Sequence, residues 1–493
     1  MGALHWVLQH VAGTTVFSMH DSVQIYRCMN LLRSIVLPVV LASLAACSGP
    51  ANIPVPETNR TLAVEPGAPN FDMEAVAVYA DDETGIEIIT AIPYESLVYL
   101  NRGGHYEASY ELLARVLLTG SRSAAVETVF TDTLVTTSYD STRSFDRVYR
   151  RDRIVLPRGS YTVELALEDA ESGARAVRSQ EVEIADVPSG EVHLSDIQLR
   201  ASRFSGNLQP VVSLHLPSGY DSLMASAELY NLPARAEATL TLVRFHSDTS
   251  VAAPPYFFTP GPFTMPYIGV EYDRGDTIQV SRRNLAGVGD HVAIEFLLPS
   301  LEKGNYQVVL NVNGDDLALT SSRHFALMGD GFPMISGLDE MVESVRYIAR
   351  DTEWASMMRA SSSEEKKRLF DAFWAGVMPN KEAAASLLET YYSRVEEANV
   401  LFSNHKEGWK TDRGMVYIVF GAPPYTEEHH LRRDWYYFEQ GFPISRRLAP
   451  FIFKRSTAYG LGGLFENYVL QRAPDYEHEW RQRIEKWRDG ISM

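Results

Sequence analysis

Between residues 71 and 187 the chain alternates apolar and polar residues in short runs of strand length. These runs are rich in β-branched and aliphatic side chains, are separated by Gly, Asp and Ser, and lie at residues 74–79, 85–90, 112–118 and 161–167. An alternation with period two buries one face of each run in a core. The pattern predicts a β-sandwich over residues 70–187.

A later stretch repeats one feature of this region. Residues 156–165 recur, with a short insertion, as residues 298–310. In both copies a Pro/Gly turn precedes an alternating run that has a tyrosine near its start, Tyr161 and Tyr306. This arrangement is typical of the tyrosine corner of immunoglobulin-like sandwiches. We therefore predict a second, tandem sandwich over residues 190–328.

Beyond Gly329 the apolar positions recur at helical spacing. Three apolar stripes with intervals of three and four residues begin at Leu338, Leu387 and Tyr476. The last two are separated by short apolar runs, which we interpret as strands, at residues 415–420, 435–438 and 450–453. The fold class is thus predicted as multidomain, with two tandem all-β immunoglobulin-like sandwiches followed by an α+β domain over residues 329–493.

The N-terminal residues have the pattern of an export signal. After Met29, which we interpret as the true start, Arg33 precedes an apolar run at residues 35–42 that is too short to span a bilayer. The run ends in Leu44-Ala45-Ala46-Cys47, which resembles the bacterial lipobox. We therefore expect residues 1–46 to be a signal peptide cleaved before an acylated Cys47. The alternative is an ordinary signal peptide with an incidental cysteine.

Acylation of Cys47 would hold the mature chain to a membrane through its N-terminus. Ser48 follows the cysteine, and by resemblance to bacterial lipoproteins this favours the outer membrane. Residues 47–69 are rich in proline and are interpreted as an extended tether. The only other cysteine, Cys28, precedes the cleavage point, which excludes disulfides and thiolate metal sites from the mature chain.

Composition and charge narrow the class of partner. The chain has 45% hydrophobic and 22% charged residues, which is typical of a globular protein. Its 45 Lys and Arg against 63 Asp and Glu give a formal net charge of −18. Because a phosphate backbone would be repelled, we expect no nucleic acid as a partner.

Residues 408–414 read Gly-Trp-Lys-Thr-Asp-Arg-Gly, with a second marked segment upstream at residues 391–399 and a Trp-Tyr-Tyr run at 435–437. These residues resemble the GWxTD-domain family of bacterial envelope proteins over roughly residues 338–470. The resemblance implies an exported protein that carries this domain behind β-rich modules. It implies no established activity and no catalytic residue.

The motif is interpreted first as a structural junction. Gly408 would end the preceding segment at positive φ, Trp409 would fill the core, and Thr411 and Asp412 would bond backbone amides of a turn before a strand. Arg394 is expected to pair with Asp412 and so clamp a helix against a hairpin.

The functional alternative is that the same residues form a polar site. Tyr391, Arg394, Asp412 and Arg413 would then hold an anionic or carbohydrate group. Both interpretations remain open from the sequence.

A loop of aromatic residues among prolines is a candidate partner or sugar platform, because aromatics held by prolines lose little entropy on binding. The loop contains Tyr256, Phe257, Phe258, Phe263 and Tyr267. The alternative is that it folds back over its own sandwich.

The adjacent histidines at 429 and 430, flanked by Glu427 and Glu428, are interpreted as a solvated loop, since neighbouring side chains diverge on a regular backbone. We predict no metal site and no cofactor.

These observations favour an outer-membrane lipoprotein that acts as a binding or scaffold component of a cell-envelope assembly, with an envelope protein or a glycan as its partner. The alternative is an envelope hydrolase that acts on glycan or peptide through carboxylates of the last domain.

Overall fold

The computed structural model describes residues 68–490, except 81–82, 122, 145, 186–190, 204–205, 233–234, 258–268, 287–290, 315, 378–379, 430, 440–445 and 457–466. The predicted signal, Cys47 and all but the end of the predicted tether lie outside the described residues. Residues 61–493 belong to one compact unit.

The first sandwich is built from two antiparallel sheets that enclose an aliphatic core. Its described strands are β1 (Asp72–Ala80), β2 (Glu83–Pro93), β3 (Leu100–Arg102), β4 (His105–Leu118), β5 (Ala124–Thr136), β6 (Arg147–Val155), β7 (Gly159–Asp169) and β8 (Arg175–Ile184). One sheet has the order β1-β2-β6, and the other has the order β3-β4-β7-β8, with β5 also paired to β4. Ile86, Leu112 and Val163 are fully buried between them.

The second sandwich is also built from two packed sheets, one of which includes a parallel pair of strands. Its described strands are β9 (His193–Leu194), β10 (Gln198–Ser202), β11 (Gln209–Pro210), β12 (His215–Pro217), β13 (Ser222–Tyr230), β14 (Arg235–Ser247), β15 (Val270–Ala286), β16 (His291–Leu298), β17 (Gly304–Asn313) and β18 (Ala318–Met328). The sheets have the orders β11-β10-β13-β16, with β9 also paired to β13, and β12-β18-β17-β14-β15. Leu240, Val308 and Ile294 lie in the core between them.

Both sandwiches contain a tyrosine corner. The Tyr161 hydroxyl donates to the carbonyl oxygen of Pro157 at 2.8 Å, and the Tyr306 hydroxyl donates to that of Glu302 at 2.7 Å. In each case the acceptor lies four residues upstream, so the hydroxyl closes the turn that leads into the strand. The predicted fold class, two tandem sandwiches before an α+β domain, is confirmed.

A buried arginine ties the two sandwiches together. Arg323 on β18 forms an ion pair with Glu74 on β1, and the two side chains are 11% and 14% exposed. The same guanidinium donates to the carbonyl oxygens of Ile197 at 3.0 Å and Val211 at 2.7 Å. Its charge is thus satisfied by both sandwiches at once.

The C-terminal region is a mixed domain. Its described helices are α1 (Leu338–Ser344), α2 (Asp351–Met358), α3 (Ser363–Val377), α4 (Lys381–Phe402), α5 (Asp412–Phe420) and α6 (Glu477–Arg488). Its described strands are β19 (Tyr425–His429), β20 (Arg432–Tyr436), β21 (Phe438–Glu439), β22 (Arg446–Arg447), β23 (Phe451–Arg455) and β24 (Tyr468–Leu470). β19-β20-β23-β24 form one sheet, and β21-β22 form a separate pair. Among the described residues, no helix is long and apolar enough to cross a membrane.

The strand predicted at residues 415–420 is wrong, because these residues belong to α5. Every residue from Gly414 to Phe420 is buried, so the helix is apolar on all sides. A short run that is buried all round cannot be assigned to helix or strand by its periodicity. The helix begins at Thr411, whose hydroxyl accepts from the Gly414 amide at 3.1 Å, and ends at Gly421, which has a φ of 85°.

Two glycines allow the segments around α5 to approach closely. A Cβ added at Gly408 would lie 1.8 Å from the carbonyl oxygen of Ala398 on α4. A Cβ added at Gly414 would lie 1.9 Å from the carbonyl oxygen of Gly408. The prediction of a positive φ at Gly408 is wrong, because this glycine is required for close contact between backbones instead.

We therefore expect Gly408→Ala to destabilise the protein by about 3 kcal/mol or more, because the added methyl group meets a backbone atom that cannot rotate away. The measurement is chemical denaturation of the full chain. Gly376→Ala on α3 is the matched control, since a Cβ there meets nothing within 4 Å. It should change the free energy of unfolding by no more than about 1 kcal/mol. Equal effects of the two substitutions would contradict this account of Gly408.

Candidate functional site

The polar residues that connect α4 to α5 are buried. This junction segment, residues 404–412, contains the motif and a short 3₁₀ helix at Gly408–Lys410. Its buried polar side chains are 2% to 9% exposed and belong to Asn404, His405, Lys406, Glu407, Lys410 and Thr411. Buried polar groups are costly unless they are hydrogen-bonded or paired, so each of these side chains needs a partner.

The loop after β14 of the second sandwich supplies several of these partners. His405 Nε2 donates to the Asp248 carbonyl oxygen at 2.9 Å, and Lys406 Nζ donates to that of Ser250 at 2.6 Å. The Ala252 amide donates to the Lys410 carbonyl oxygen at 3.0 Å. The junction segment and residues 248–252 thus run alongside each other.

Strands of the second sandwich bind the other end of the junction segment. Asn305 Nδ2, at the start of β17, donates to the His405 carbonyl oxygen at 2.8 Å. His215 Nε2, on β12, donates to the Asn404 carbonyl oxygen at 2.8 Å. Both bonds end on backbone carbonyls of the C-terminal domain, which fixes the position of the segment as well as its side chains.

A buried carboxylate joins two lysines across this contact. Glu407 forms ion pairs with Lys303 of the second sandwich and with Lys410, whose Nζ lies 3.2 Å from Glu407 Oε2. Lys410 Nζ also lies 3.9 Å from a carboxylate oxygen of Glu343. Burial lowers the pKa of Lys410. These charges neutralise one another within the junction.

Asp412, the last residue of the junction segment, is bonded to the end of the sheet. Its Oδ2 accepts from the Leu470 amide at 2.7 Å and from Arg472 Nη1 at 3.2 Å. Arg472 Nη2 also donates to the Ala253 carbonyl oxygen at 3.0 Å. The arginine therefore links the motif aspartate to the loop of the second sandwich.

The predicted pairing of Asp412 with Arg394 is wrong. Arg394 Nη1 donates to the Ile418 carbonyl oxygen at 3.3 Å, and its guanidinium lies 5.1 Å from the centre of the Trp487 ring. The reason is that α5 is a helix. Asp412 lies in its first turn and Ile418 lies six residues later, about 9 Å further along the axis at 1.5 Å per residue.

The remaining candidate residues make contacts within the C-terminal domain, where Tyr391 and Trp409 are buried and Arg413 is partly buried. The Tyr391 hydroxyl donates to the Ser344 carbonyl oxygen at 2.6 Å. Trp409 is 1% exposed, and its carbonyl oxygen accepts from the Tyr347 hydroxyl at 2.8 Å. The Arg413 guanidinium lies 4.7 Å from the centre of the Tyr468 ring. The structure does not bring Tyr391, Arg394, Asp412 and Arg413 into one polar site.

The first residues of the candidate partner loop contact the C-terminal domain. The Ala473 amide donates to the Pro255 carbonyl oxygen at 3.1 Å, and the Arg481 guanidinium lies 5.3 Å from the centre of the Tyr256 ring. Phe257 is 62% exposed. The predicted loop residues Phe258, Phe263 and Tyr267 lie outside the described residues. The described part of the loop therefore lies against the C-terminal domain, and not only against its own sandwich.

Most residues of the junction cannot be predicted from the sequence. The polar run at residues 403–407 has the composition of a solvated loop, and no periodic signal indicates its burial. Arg472 and Lys303 are distant in sequence from the motif and lie in segments without a motif of their own. The only local signal is Trp409, because a tryptophan next to charged residues requires part of the segment to be buried.

The family model for the GWxTD domain matches residues 311–489. The matched range begins within β17, so it includes the last described strand of the second sandwich as well as the helical region. Comparison with curated proteins finds no match to this sequence.

Solved structures show only distant similarity. Red sea bream transglutaminase is 11% identical over 52% of this chain and 31% of its own, with a TM-score of 0.16. A serine-rich repeat protein of Streptococcus agalactiae is 8% identical over 52% of this chain and 92% of its own, with a TM-score of 0.16. The native form of Escherichia coli alpha-2-macroglobulin is 12% identical over 55% of this chain and 16% of its own, with a TM-score of 0.15. Similarity at this level carries no information about function.

The buried histidine of the junction should make stability depend on pH. Burial, and secondarily the charge of Lys406, lowers the pKa of His405 from 6.5 to about 4. The folded state therefore favours the neutral imidazole, and the full stability is present above about pH 6.5 and is lost as the pH falls toward 4. The loss expected from His405 alone is about 2.5 kcal/mol, measured as the change in the free energy of unfolding between pH 7 and pH 4.5.

His405→Gln should reduce this dependence, because glutamine retains a donor for the Asp248 carbonyl and does not titrate. In this variant His215 still contributes part of the pH dependence of stability, since burial also lowers its pKa. His246→Gln, at a half-exposed position, is the control for the substitution itself. A pH profile identical in wild type and His405→Gln would contradict the assignment.

The pairing of Asp412 can be tested by double-mutant cycles. Asp412→Asn should cost about 3 kcal/mol, because it leaves the partly buried Arg472 without its counter-charge. With Arg472→Gln the coupling energy should be about 1 to 3 kcal/mol, whereas with Arg394→Gln the effects should add within about 0.5 kcal/mol. Unfolding free energies of the single and double variants decide the matter. A larger coupling with Arg394 than with Arg472 would refute the observed pairing.

Proposed function

We propose that this protein is a lipid-anchored binding component of a bacterial cell-envelope assembly, held to the outer membrane through Cys47. Residues 311–489 match the GWxTD family model, and the part of the match that follows β18 is called the GWxTD domain below. The observation that carries the proposal is the buried junction. His405, Lys406 and Glu407 of the junction segment, directly before the motif, are bonded to the second sandwich, so the segment holds the domain in a fixed position. A domain fixed in this way is suited to presenting a surface to a partner.

The junction makes the kind of contact that fixes two domains relative to each other. Interfaces between domains of one chain commonly allow relative motion unless they are large or specifically bonded. Here neutralised charges and backbone hydrogen bonds specify a single arrangement of the second sandwich and the GWxTD domain. A surface that is already ordered loses less entropy when it binds.

The surface that we assign to the partner is the aromatic loop. Its base is held to the GWxTD domain through Pro255 and Tyr256, while Phe257 is mostly exposed. An exposed aromatic on a fixed base is a typical anchor for a protein partner, and an aromatic face also stacks on sugar rings. We propose that the partner is an envelope protein. Recovery of a glycan in its place would be a contrary result of the test below.

The contacts of two carboxylates favour binding over hydrolysis. A glycosidase needs a pair of carboxyl groups on either side of the bond that is cleaved. Glu407 and Asp412 are bonded instead to Lys303, Lys410 and Arg472. Their charges contribute to the junction, where substrate access is not required.

The test is affinity purification of the full-length protein from its native envelope after chemical crosslinking. We expect the protein in the outer-membrane fraction with one envelope protein in stoichiometric amount. Cys47→Ala should release the protein from the membrane without unfolding it, because acylation supplies the anchor. Phe257→Ser should keep the anchor and lose the partner.

Tyr139→Ser is the matched control, since Tyr139 is an aromatic of similar exposure, 56%, in the first sandwich. It should leave partner recovery unchanged. Membrane retention of Cys47→Ala would refute the anchor. Recovery of a glycan in place of a protein, or glycan cleavage that Glu407→Gln abolishes in a folded protein, would refute the proposed binding role.

A further inference from the structure

One face of the β19–β20 ribbon brings together an imidazole and two carboxylates. Glu427 and His429 are two residues apart on β19, and Asp434 lies directly opposite Glu427 on β20. Residues i and i+2 share a face of a strand, and a residue opposite one of them shares that face too. The solvated loop predicted here is a strand up to His429, and, against the expectation of no metal site, we propose that Glu427, His429 and Asp434 form a binding site for Zn²⁺. The inference is independent of the proposed function.

The separations are suitable for a single ion. One ligand atom from each residue lies within 4.8 Å of the others, and His429 Nε2 is 3.9 Å from Glu427 Oε2. With Zn–N and Zn–O distances of about 2.1 Å, neighbouring ligand atoms of a tetrahedral site are about 3.4 Å apart. The required closure is small, and it falls on the half-exposed side chains of His429 and Glu427.

The residues around the cluster hold its carboxylates in place. The Tyr436 hydroxyl donates to Glu427 Oε2 at 2.8 Å. Asp434 is only 2% exposed and is held by Arg432, whose Nε donates to Oδ1 at 2.5 Å. Such outer partners orient the ligands of metal sites. The aspartate is thus a buried ligand toward which the half-exposed side chains of Glu427 and His429 would close.

Arg432 also competes with the metal. Its guanidinium, 43% exposed, neutralises the Asp434 carboxylate, and it can turn toward solvent when a dication arrives. Lys454 lies opposite Arg432 on β23 and adds a second cation beside the cluster. A hard cation such as Ca²⁺, which is held by carboxylates alone, is therefore disfavoured relative to Zn²⁺, for which the imidazole is a preferred ligand.

Three protein ligands leave one tetrahedral position open. Closed structural zinc sites use four protein ligands, whereas sites with three keep a position for water or for a group from another molecule. The site is thus suited to binding an exchangeable ligand at the edge of the sheet, which β19 forms.

The test is isothermal titration of the untagged full chain with ZnCl₂, with CaCl₂ as the comparison ion. We expect one Zn²⁺ per chain and no Ca²⁺ binding in the same concentration range. His429→Ala and Glu427→Gln should each weaken Zn²⁺ binding by about tenfold or more. His246→Ala is the control, because His246 is equally exposed and lies 3.3 Å from Asp276, with no third ligand among the described residues, and it should leave binding unchanged.

Arg432→Gln distinguishes a Zn²⁺ site from a cluster whose role is only structural. Removal of the competing cation should tighten Zn²⁺ binding and make Zn²⁺ raise the melting temperature more than in wild type. If this variant does not fold, the comparison of His429→Ala with His246→Ala decides alone. The proposal is overturned by an absence of Zn²⁺ binding in wild type, by equal affinity in His429→Ala, by equal weakening in His246→Ala, or by weaker binding in a folded Arg432→Gln.

Discussion

The structure depends on the need to satisfy a run of buried polar groups in the segment between α4 and α5. His405, Lys406 and Glu407 are charged or polar side chains that water cannot reach, and each would be costly without a partner. The second sandwich supplies those partners from Asp248, Ser250 and Lys303. Without the sandwich that precedes it, several buried polar groups of the GWxTD domain would therefore lack a hydrogen-bond or ion-pair partner.

The family match begins at residue 311, within β17, so Lys303 and Asn305, which bond the junction segment, lie just outside the matched range. The start of the same strand provides Asn305, which binds the junction segment directly. Ion pairs of this type contribute little net stability compared with apolar packing, but they penalise any arrangement that leaves one charge unpaired. The junction thus specifies orientation, while the aromatic and aliphatic core around Trp409 supplies most of the stability.

The sequence predicts the features that are marked by a local, repeating pattern of residues. Alternating runs identify the sandwiches, and the turn that precedes Tyr161 and Tyr306 identifies the tyrosine corners. It fails at α5, because a helix buried on every side has no polar stripe to reveal its period. It fails again for the partner of Asp412, because Arg472 becomes a neighbour only through the fold of the domain.

The most direct measurement of the central claim is native-state hydrogen exchange of the full-length protein at two amides that cross the junction. Ala252 donates to Lys410 and Ala473 donates to Pro255, so neither amide is protected unless the second sandwich and the GWxTD domain stay together. We expect both to exchange with the same opening free energy as core amides such as Leu240 and Val416. Rapid exchange of Ala252 and Ala473 while both cores remain protected would contradict a fixed junction.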